Sequence, residues 1–458
     1  MAEMNNKLDN GTLSEIKSLL WGNDLKDEVF SRWTQGFVFG SDERTALVQY
    51  EGGPCAVIAP VQGFVVKNAL FGDKPCKDHT QLSENESLDL LVQALCDILV
   101  LISTNGYSVI SLEEEEEPEN NKSQSELSTE SADCNKIDMD QSEAGQSSCK
   151  RSKLHVDQNV FHSRLRCTKC ESEASVRKCL RENISAFTGP SGVLLYLYSI
   201  VLTKGIEQIR NEVEDPGEPL IHGLFGHGTQ SLINLLITGK AVTNVWDNDK
   251  DISGLKLQGV SRRSCIGFLS YMEHLRYCEV GWNLKNPKYP IWLIGSETHL
   301  TVLFSKDTNL IINETAQSVA RKIFQRFDPE GNGFIATVLL GDLLEALDLV
   351  SEKEYVDIMV SKLDAESLGI ITQNSFFEEF YPGETTPLIP KRFKLYHYNG
   401  IARSCLGNTV QYAEGEAVLH DEIEVQLVTD TSPIKLCLLT KWPTIELQWK
   451  NDHIPSMN

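Results

Sequence analysis

Apolar residues recur along this chain with two periods, and each change of period marks an element. Ile16, Leu19 and Leu20 share one helical face over Thr12–Trp21, with Thr12 as N-cap and Glu15, three residues on, completing a capping box. Arg32 to Phe39 is aromatic and β-prone, and Glu51-Gly52-Gly53-Pro54 then makes a tight turn. Beyond the turn, Val57, Ile58, Val61, Phe64, Val65 and Leu70 spread over most sides of a helix that starts at Cys55 and ends at Phe71. A helix with no polar face belongs inside a domain. A second helical pattern covers Ser87–Ile102 and ends at Asn105-Gly106, before a short run from Tyr107 to Leu112. Helical spacing returns over Val160–Leu180 and, apolar on most sides, over Gly192–Arg210. Gly226-His227-Gly228-Thr229-Gln230 reads as a turn and cap leading into Ser231–Leu236. Ile291–Phe304 has the alternation of a strand, which puts Glu297, His299 and Thr301 on one face. A helical module at about 316–381 and a β-rich tail at about 391–449 complete the chain, with no repeat of solenoid period.

Composition turns this list of elements into a folded protein of several units. Of 458 residues, 41% are hydrophobic and 23% charged, which excludes global disorder and fibrous classes and leaves room for roughly two to four structural units. The formal charge of −23 repels phosphate backbones and anionic headgroups, so neither nucleic acid nor a membrane is an expected partner. Part of that charge is local. Residues 113–157 hold 13 acids against 5 bases and almost no large apolar group, too little burial to offset ordering entropy, and read as a disordered insert. The longest uncharged apolar run, Val193–Thr203, falls short of the roughly 18 residues that cross a bilayer. Twelve cysteines at irregular spacing follow an opening with no apolar signal segment. That predicts reduced thiols in a soluble intracellular protein of the nucleus, the cytoplasm or both.

The sharpest chemical feature is Gln49-Tyr50-Glu51-Gly52-Gly53-Pro54-Cys55. A helix start offers a sulfur unpaired N–H groups and the positive dipole end that favour a thiolate. Gly52 and Gly53 let the backbone approach a substrate carbonyl, and Pro54 sets the dihedral that begins the helix. Gln49 stands six positions before Cys55, the offset at which papain-like cysteine proteases carry an oxyanion-hole amide. A base is also needed, and His299 in the Ile291–Phe304 run fits best; His227, between two glycines, is the rival. Asn313 or Glu314 could orient it. His162, Cys167, Cys170 and Cys179 lack the second tight pair of a zinc site, so no metal is predicted there. Asp328–Ile335 and the stretch from Asp364 have the order of EF-hand loops, but Leu339 and Ser375 stand where each needs its last carboxylate. The helical scaffold is expected without the ion, and no cofactor is expected anywhere.

Taken together, Arg32–Phe39, Gln49–Gln62, Gly226–Asp247 and Trp292–Phe304 resemble the MINDY family of deubiquitinating cysteine proteases. The nearest type carries an EF-hand-like region, to which Phe324–Gly333 and Leu436–Trp449 are similar. The resemblance implies an α+β, papain-like fold with a helical EF-hand-like module and a β-rich C-terminal segment. Residues 1–112 and 158–315 would form the catalytic domain, interrupted by the acidic insert 113–157. Residues 316–383 would be the degenerate calcium module, and 384–458 would pack with the catalytic part. It further implies ubiquitin and polyubiquitin as partners, cleavage after the C-terminal glycine of ubiquitin, and a preference for chains linked through lysine forty-eight. Cys55 would be the nucleophile, His299 the base and Gln49 the oxyanion donor. A ubiquitin-binding adaptor with weak catalysis, or a calcium-responsive interaction protein, are the alternatives.

Overall fold

A helix without a polar face has to be covered on every side, and Cys55–Phe71 organises the larger part of the molecule around itself. The computed structural model describes residues 5–23, 25–73, 75, 82–113, 156–252, 254–311, 316–328, 332–382, 389–420 and 430–458. The acidic stretch over 114–155, Asn313, Glu314 and residues 329–331 of the first EF-hand-like loop lie outside the described residues. The chain divides into two units, one of residues 1–306 and 392–458, the other of 307–391. Helices and strands alternate through it, so the class is α+β.

In the larger unit a six-stranded sheet runs Ile445–Trp449, Ala413–Leu419, Arg392–Tyr398, Leu300–Phe304, Ile291–Gly295, Gly267–Ser270. Neighbours are antiparallel except the last pair, which is parallel. The Cys55–Phe71 helix packs on the two strands Ile291–Gly295 and Leu300–Phe304, and on helices Glu84–Ile102 and Gln230–Thr238. Gly63 permits the approach, since a Cβ there would lie 2.8 Å from Ile266 Cδ1. Gln62 and Asn68 are buried polar exceptions on this helix, and Gln62 ties it to the preceding segment. Its Oε1 accepts from Leu47 N–H at 2.7 Å and its Nε2 donates to Thr45 O at 2.8 Å, so the side-chain amide stands in for a paired strand and fixes the segment that leads to Gln49.

The second buried helix, Gly192–Lys204, covers a three-stranded sheet of order Asn5–Lys7, Leu165–Cys170, Tyr107–Leu112. Ser199 Oγ accepts from Ile110 N–H at 2.8 Å. The smaller unit has helices Ala316–Phe327, Leu340–Ala346, Lys353–Leu363 and Gln373–Phe380 around its own core of Phe324, Leu343, Leu344 and Phe376. Its strands Phe334–Ala336 and Ile370–Thr372 pair with Ile335 opposite Ile371. Along the sequence this unit fills the connection between Leu300–Phe304 and Arg392–Tyr398, which are neighbours in the large sheet.

Several elements differ from the sequence pattern, each for a local reason. The first helix is Asn10–Trp21, capped by Asp9, whose carboxylate accepts from Thr12 N–H at 2.9 Å and from the Thr12 hydroxyl at 2.7 Å. A charged acceptor displaces the weaker hydroxyl cap. Trp33 closes a short helix, Asp27–Trp33, and only Val38–Phe39 of the aromatic run is strand. Val160–Leu180 holds a strand, Leu165–Cys170, between two helices, because Tyr107–Leu112 pairs with it along its whole length. Gly205, at φ +92°, ends the Gly192–Lys204 helix before a new one over Ile206–Glu212. Ile291–Phe304 is a hairpin rather than one strand. Ser296 N–H donates to His299 O at 3.0 Å across its turn, so Glu297 is exposed at the tip while His299 is buried.

Among the described residues no helix is long and apolar enough to cross a membrane. The core also encloses an ion pair. Lys204 and Glu212, only 4% and 6% exposed, meet at 2.6 Å; Lys204 Nζ also donates to Gly239 O, and Glu212 Oε2 accepts from Ala241 N–H. Removing one partner strands the other charge in the interior. Glu212→Ala is expected to lower the unfolding free energy by about 3–5 kcal/mol. The combined Lys204→Met, Glu212→Leu variant should recover most of it. Urea denaturation midpoints measure both, and a single variant of wild-type stability is the contrary result.

Candidate active site

Cys55 opens the buried helix and is 4% exposed. Pro54 precedes it with φ −78° and ψ 9°, and its carbonyl accepts from Val57 and Ile58 N–H at 2.9 Å each. Gly53 is required by geometry: its φ is +128°, and a Cβ there would lie 3.0 Å from Gly226 O and 3.1 Å from Trp33 Nε1. Those two atoms are themselves joined, Trp33 Nε1–H donating to Gly226 O at 2.9 Å. Gly52 has open space where a side chain would be, as a substrate-facing position needs. Gly228 lies against the other side of the turn, where a Cβ would come within 2.3 Å of Ala56 Cβ. Gln35, a residue the sequence pattern did not single out, holds the loop from below. Its Oε1 accepts from Tyr50 N–H at 2.8 Å and its Nε2 donates to Glu51 O at 3.1 Å.

His299 ends the hairpin turn, 7% exposed, and the next residue of the strand reaches the sulfur: the Leu300 N–H acts on the Cys55 thiol. His299 Nε2 lies 3.1 Å from Asn399 Oδ1. The orientation of the Asn399 amide follows from its other partners. Oδ1 also accepts from Ile401 N–H at 3.0 Å, and Nδ2 donates to Ser456 O at 2.9 Å. Oδ1 is therefore an acceptor, Nε2 must carry the ring proton, and Nδ1 is left as the basic atom of the neutral imidazole. Asn399 belongs to the turn after Arg392–Tyr398, and the same turn holds Gln49. Gly400 O accepts from Gln49 N–H at 2.8 Å, while Gln49 Nε2 donates to Glu51 O at 2.9 Å. One turn, far from both in sequence, thus ties Gln49 and His299 together, while the Cys55 thiol donates within its own loop, to Gly53 O at 3.8 Å.

The family model described as deubiquitinating enzyme MINDY-3/4, conserved domain, matches residues 17–325. The chain is 46% identical over 457 residues to ubiquitin carboxyl-terminal hydrolase MINDY-3 of Bos taurus, covering 97% of this chain and 99% of that protein. The chain belongs to the MINDY deubiquitinating enzymes. The Homo sapiens MINDY-3 is likewise 46% identical over 454 residues, at 97% and 99% coverage. The Drosophila melanogaster MINDY-3 homolog is 42% identical over 476 residues, covering 99% of this chain and 84% of that protein. No solved structure matches. The matched domain includes Gln49, Cys55 and His299 but ends before Asn399.

Elsewhere in this MINDY chain the other candidates fall out differently. His227 does not cap a helix; Thr229 is the N-cap of Gln230–Thr238, and His227 sits in a loop closed by His222 N–H to His227 O at 2.8 Å. His227 also acts electrostatically on His299, disfavouring its charged form. His162 Nε2 is 2.8 Å from Tyr198 Oη, and Cys167 and Cys170 are three apart on a strand, which turns them to opposite faces. No group of three metal-ligating side chains occurs among the described residues.

Burial decides the charge state. It pushes the Cys55 thiol up to about 11, against the N–H groups of Leu300, Ala56 and Cys55 itself. It pulls His299 down to about 4; the Asn399 bond favours the charged ring, and His227 and Arg403 oppose it. The ionised sulfur expected from the helix start is outweighed by desolvation, so burial favours a neutral thiol at Cys55 and a neutral imidazole at His299. Because the thiolate fraction grows tenfold per pH unit below its pKa, alkylation of Cys55 by iodoacetamide should rise with a slope near one from about pH 6.5 to 9. Mass spectrometry of the Cys55 peptide follows the rate, and a plateau around neutrality is the result that contradicts the neutral pair.

Proposed function

We propose that the chain is a papain-like cysteine isopeptidase that cleaves polyubiquitin after the C-terminal glycine of ubiquitin, with chains linked through lysine forty-eight preferred. Cys55 attacks the carbonyl as His299 Nδ1 takes its proton, and the ring returns that proton to the leaving lysine amine. Water then hydrolyses the thioester. The Cys55 N–H and Gln49 hold the oxyanion: Nε2 of Gln49 has two hydrogens, one of which Glu51 O holds, so the amide is oriented and the second can face an anion. Asn399 is the positioning residue that keeps the His299 proton on Nε2. That bond is the observation that carries the chemistry, because it leaves Nδ1 as the basic atom next to a strand whose Leu300 N–H reaches the sulfur. Ubiquitin as substrate is supported by the names of the relatives, and the linkage by the family resemblance.

Within this proposal residues 1–112, 158–315 and 384–458 serve as the catalytic part, working in the nucleus, the cytoplasm or both. Residues 316–383 are an EF-hand pair kept for its scaffold. The pairing of Ile335 with Ile371 is that of two such loops, and the first carboxylate of each loop is taken by backbone. Asp328 accepts from Asn332 and Gly333 N–H at 2.8 and 2.7 Å, and Asp364 from Leu368 and Gly369 N–H at 2.8 and 2.7 Å. With Leu339 and Ser375 at the closing positions, millimolar calcium should give no stoichiometric heat in calorimetry and no change in melting temperature. A stoichiometric heat with a raised melting temperature would favour a calcium sensor.

The enzymatic proposal is tested with ubiquitin carrying a C-terminal electrophile and with free chains. Cys55→Ala should abolish labelling and cleavage while ubiquitin binding survives; cleavage at the wild-type rate removes Cys55 from the mechanism. A wild-type protein that binds ubiquitin but takes no label is an adaptor. Gln49→Ala should lower turnover by roughly 10²–10³-fold, about 2.7–4 kcal/mol, with little change in KM. Gln49→Glu should be at least as damaging, because a carboxylate repels the anion.

A further inference from the structure

The amide of Asn399 is held from a part of the chain the proposed chemistry does not use. After the outer strand Ile445–Trp449, the segment Pro455–Asn458 runs to the site, with Pro455 and Met457 buried. Ser456 O and Asn458 O accept from Asn399 Nδ2 at 2.9 and 3.4 Å. Asn458 Oδ1 accepts from Ser296 Oγ at 2.6 Å, and that serine in turn accepts from His299 N–H at 3.0 Å, so the same segment grips the hairpin turn that carries the histidine. The segment is stiffened internally: Ser456 Oγ donates to Asn458 O at 2.7 Å and accepts from Asn458 N–H at 3.0 Å.

We infer that Pro455–Asn458 is a clamp that positions Asn399 and the Ser296–His299 turn, and so selects the ring tautomer with a basic Nδ1. The inference rests on His299 being the base. Its physical content is the near-equivalence of the two ends of an amide. With the two carbonyls in place, Nδ2 faces the clamp and Oδ1 faces His299. Without them, Nδ2 has lost both of its acceptors, and a cavity of about 240 Å³ lined by His397, Asn399, Cys405, Tyr412 and Pro455 gives the amide room to turn. A turned amide presents N–H to Nε2, which forces the proton onto Nδ1 and removes the base. Ile401 N–H alone then opposes the turn. The charged or titratable groups that interact with the His299 ring are His227, Arg403 and His397, and none belongs to the clamp.

The test uses the full chain with residues 456–458 deleted, and separately Asn458→Ala and Asn458→Asp, on a ubiquitin substrate with a fluorogenic C-terminus. Deletion should lower kcat by about 10²-fold, the scale of a misplaced reacting group, with KM within about twofold and a displaced acid limb in the pH–rate profile. Asn458→Ala should lower kcat with the melting temperature unchanged, and Asn458→Asp, which keeps an acceptor for Ser296, should restore it. A deletion variant with wild-type kcat and pH profile overturns the clamp. If the deletion unfolds the chain, the Asn458 pair decides: equal kcat for alanine, aspartate and wild type overturns it. His299→Ala with undiminished cleavage would instead remove the base itself, a failure of the underlying mechanism that the Asn458 variants do not mimic.

Discussion

Burying the helix Cys55–Phe71 is the constraint on which the rest of the larger unit depends. Its side chains are apolar nearly all round, so strands must cover one side, helices another, and loops its first turn. Glycine makes the closest of these approaches feasible: Gly63 where Ile266 comes down, and Gly228 where a loop lies on Ala56. Each buried CH₂ contributes about 0.8 kcal/mol, which is why a helix with this composition can hold a whole domain together. The same burial seals the sulfur at the helix end. A nucleophile on an exposed helix would keep its hydration, whereas here every polar group that meets Cys55 has to be delivered by the protein.

Delivery falls to the connections, and the sheet sets where they emerge. The hairpin turn brings His299, the turn after Arg392–Tyr398 brings Asn399 and anchors Gln49, and Gln35 braces the loop before Cys55. Leu300–Phe304 and Arg392–Tyr398 are neighbours in the sheet although a whole unit separates them in sequence. Loop-closure entropy grows only with the logarithm of length, so a long insertion between paired strands costs little more than a short one. The inserted unit also has its own core of Phe324, Leu343, Leu344 and Phe376, and so folds around contacts made within itself.

What could be read from the sequence follows the same division. Cys55 as a helix start, the two apolar helices and the helical module were legible because each is a local pattern over many residues. His299 was placed in a strand-like run, but the hairpin was not seen: Ser296-Glu297-Thr298 has no glycine or proline to mark the turn, and alternation continues through it. Asn399 was not legible at all. Nothing in Tyr398-Asn399-Gly400 distinguishes it from any other turn, and its meaning arises only when the sheet sets two distant turns side by side. Asn313 and Glu314, the orienting candidates on the next apolar run, lie outside the described residues, whereas Asn399 meets the His299 ring because its strand ends at the same edge of the sheet. Cys167 and Cys170, close in sequence, are turned to opposite faces by the strand that holds them.

A neutral thiol and a neutral imidazole look like a poor start for the proposed nucleophile, yet burial would make it a selective one. In water a helix start would lower the sulfur pKa; here desolvation wins, and His227 and Arg403 further disfavour a charged His299. A thiolate–imidazolium pair formed in advance would be a standing target for oxidants and small electrophiles. In the proposed chemistry charge appears only when a carbonyl is in place. The proton moves to Nδ1 as the oxyanion forms, and the new negative charge then offsets the Arg403 charge that opposed protonation in the empty site. Interactions that are unfavourable at rest become favourable at the transition state, and only such a difference accelerates the chemical step. The low-dielectric interior that suppresses the thiolate also strengthens each hydrogen bond to the oxyanion, so the same burial that silences Cys55 toward solvent raises its discrimination for a substrate that fits.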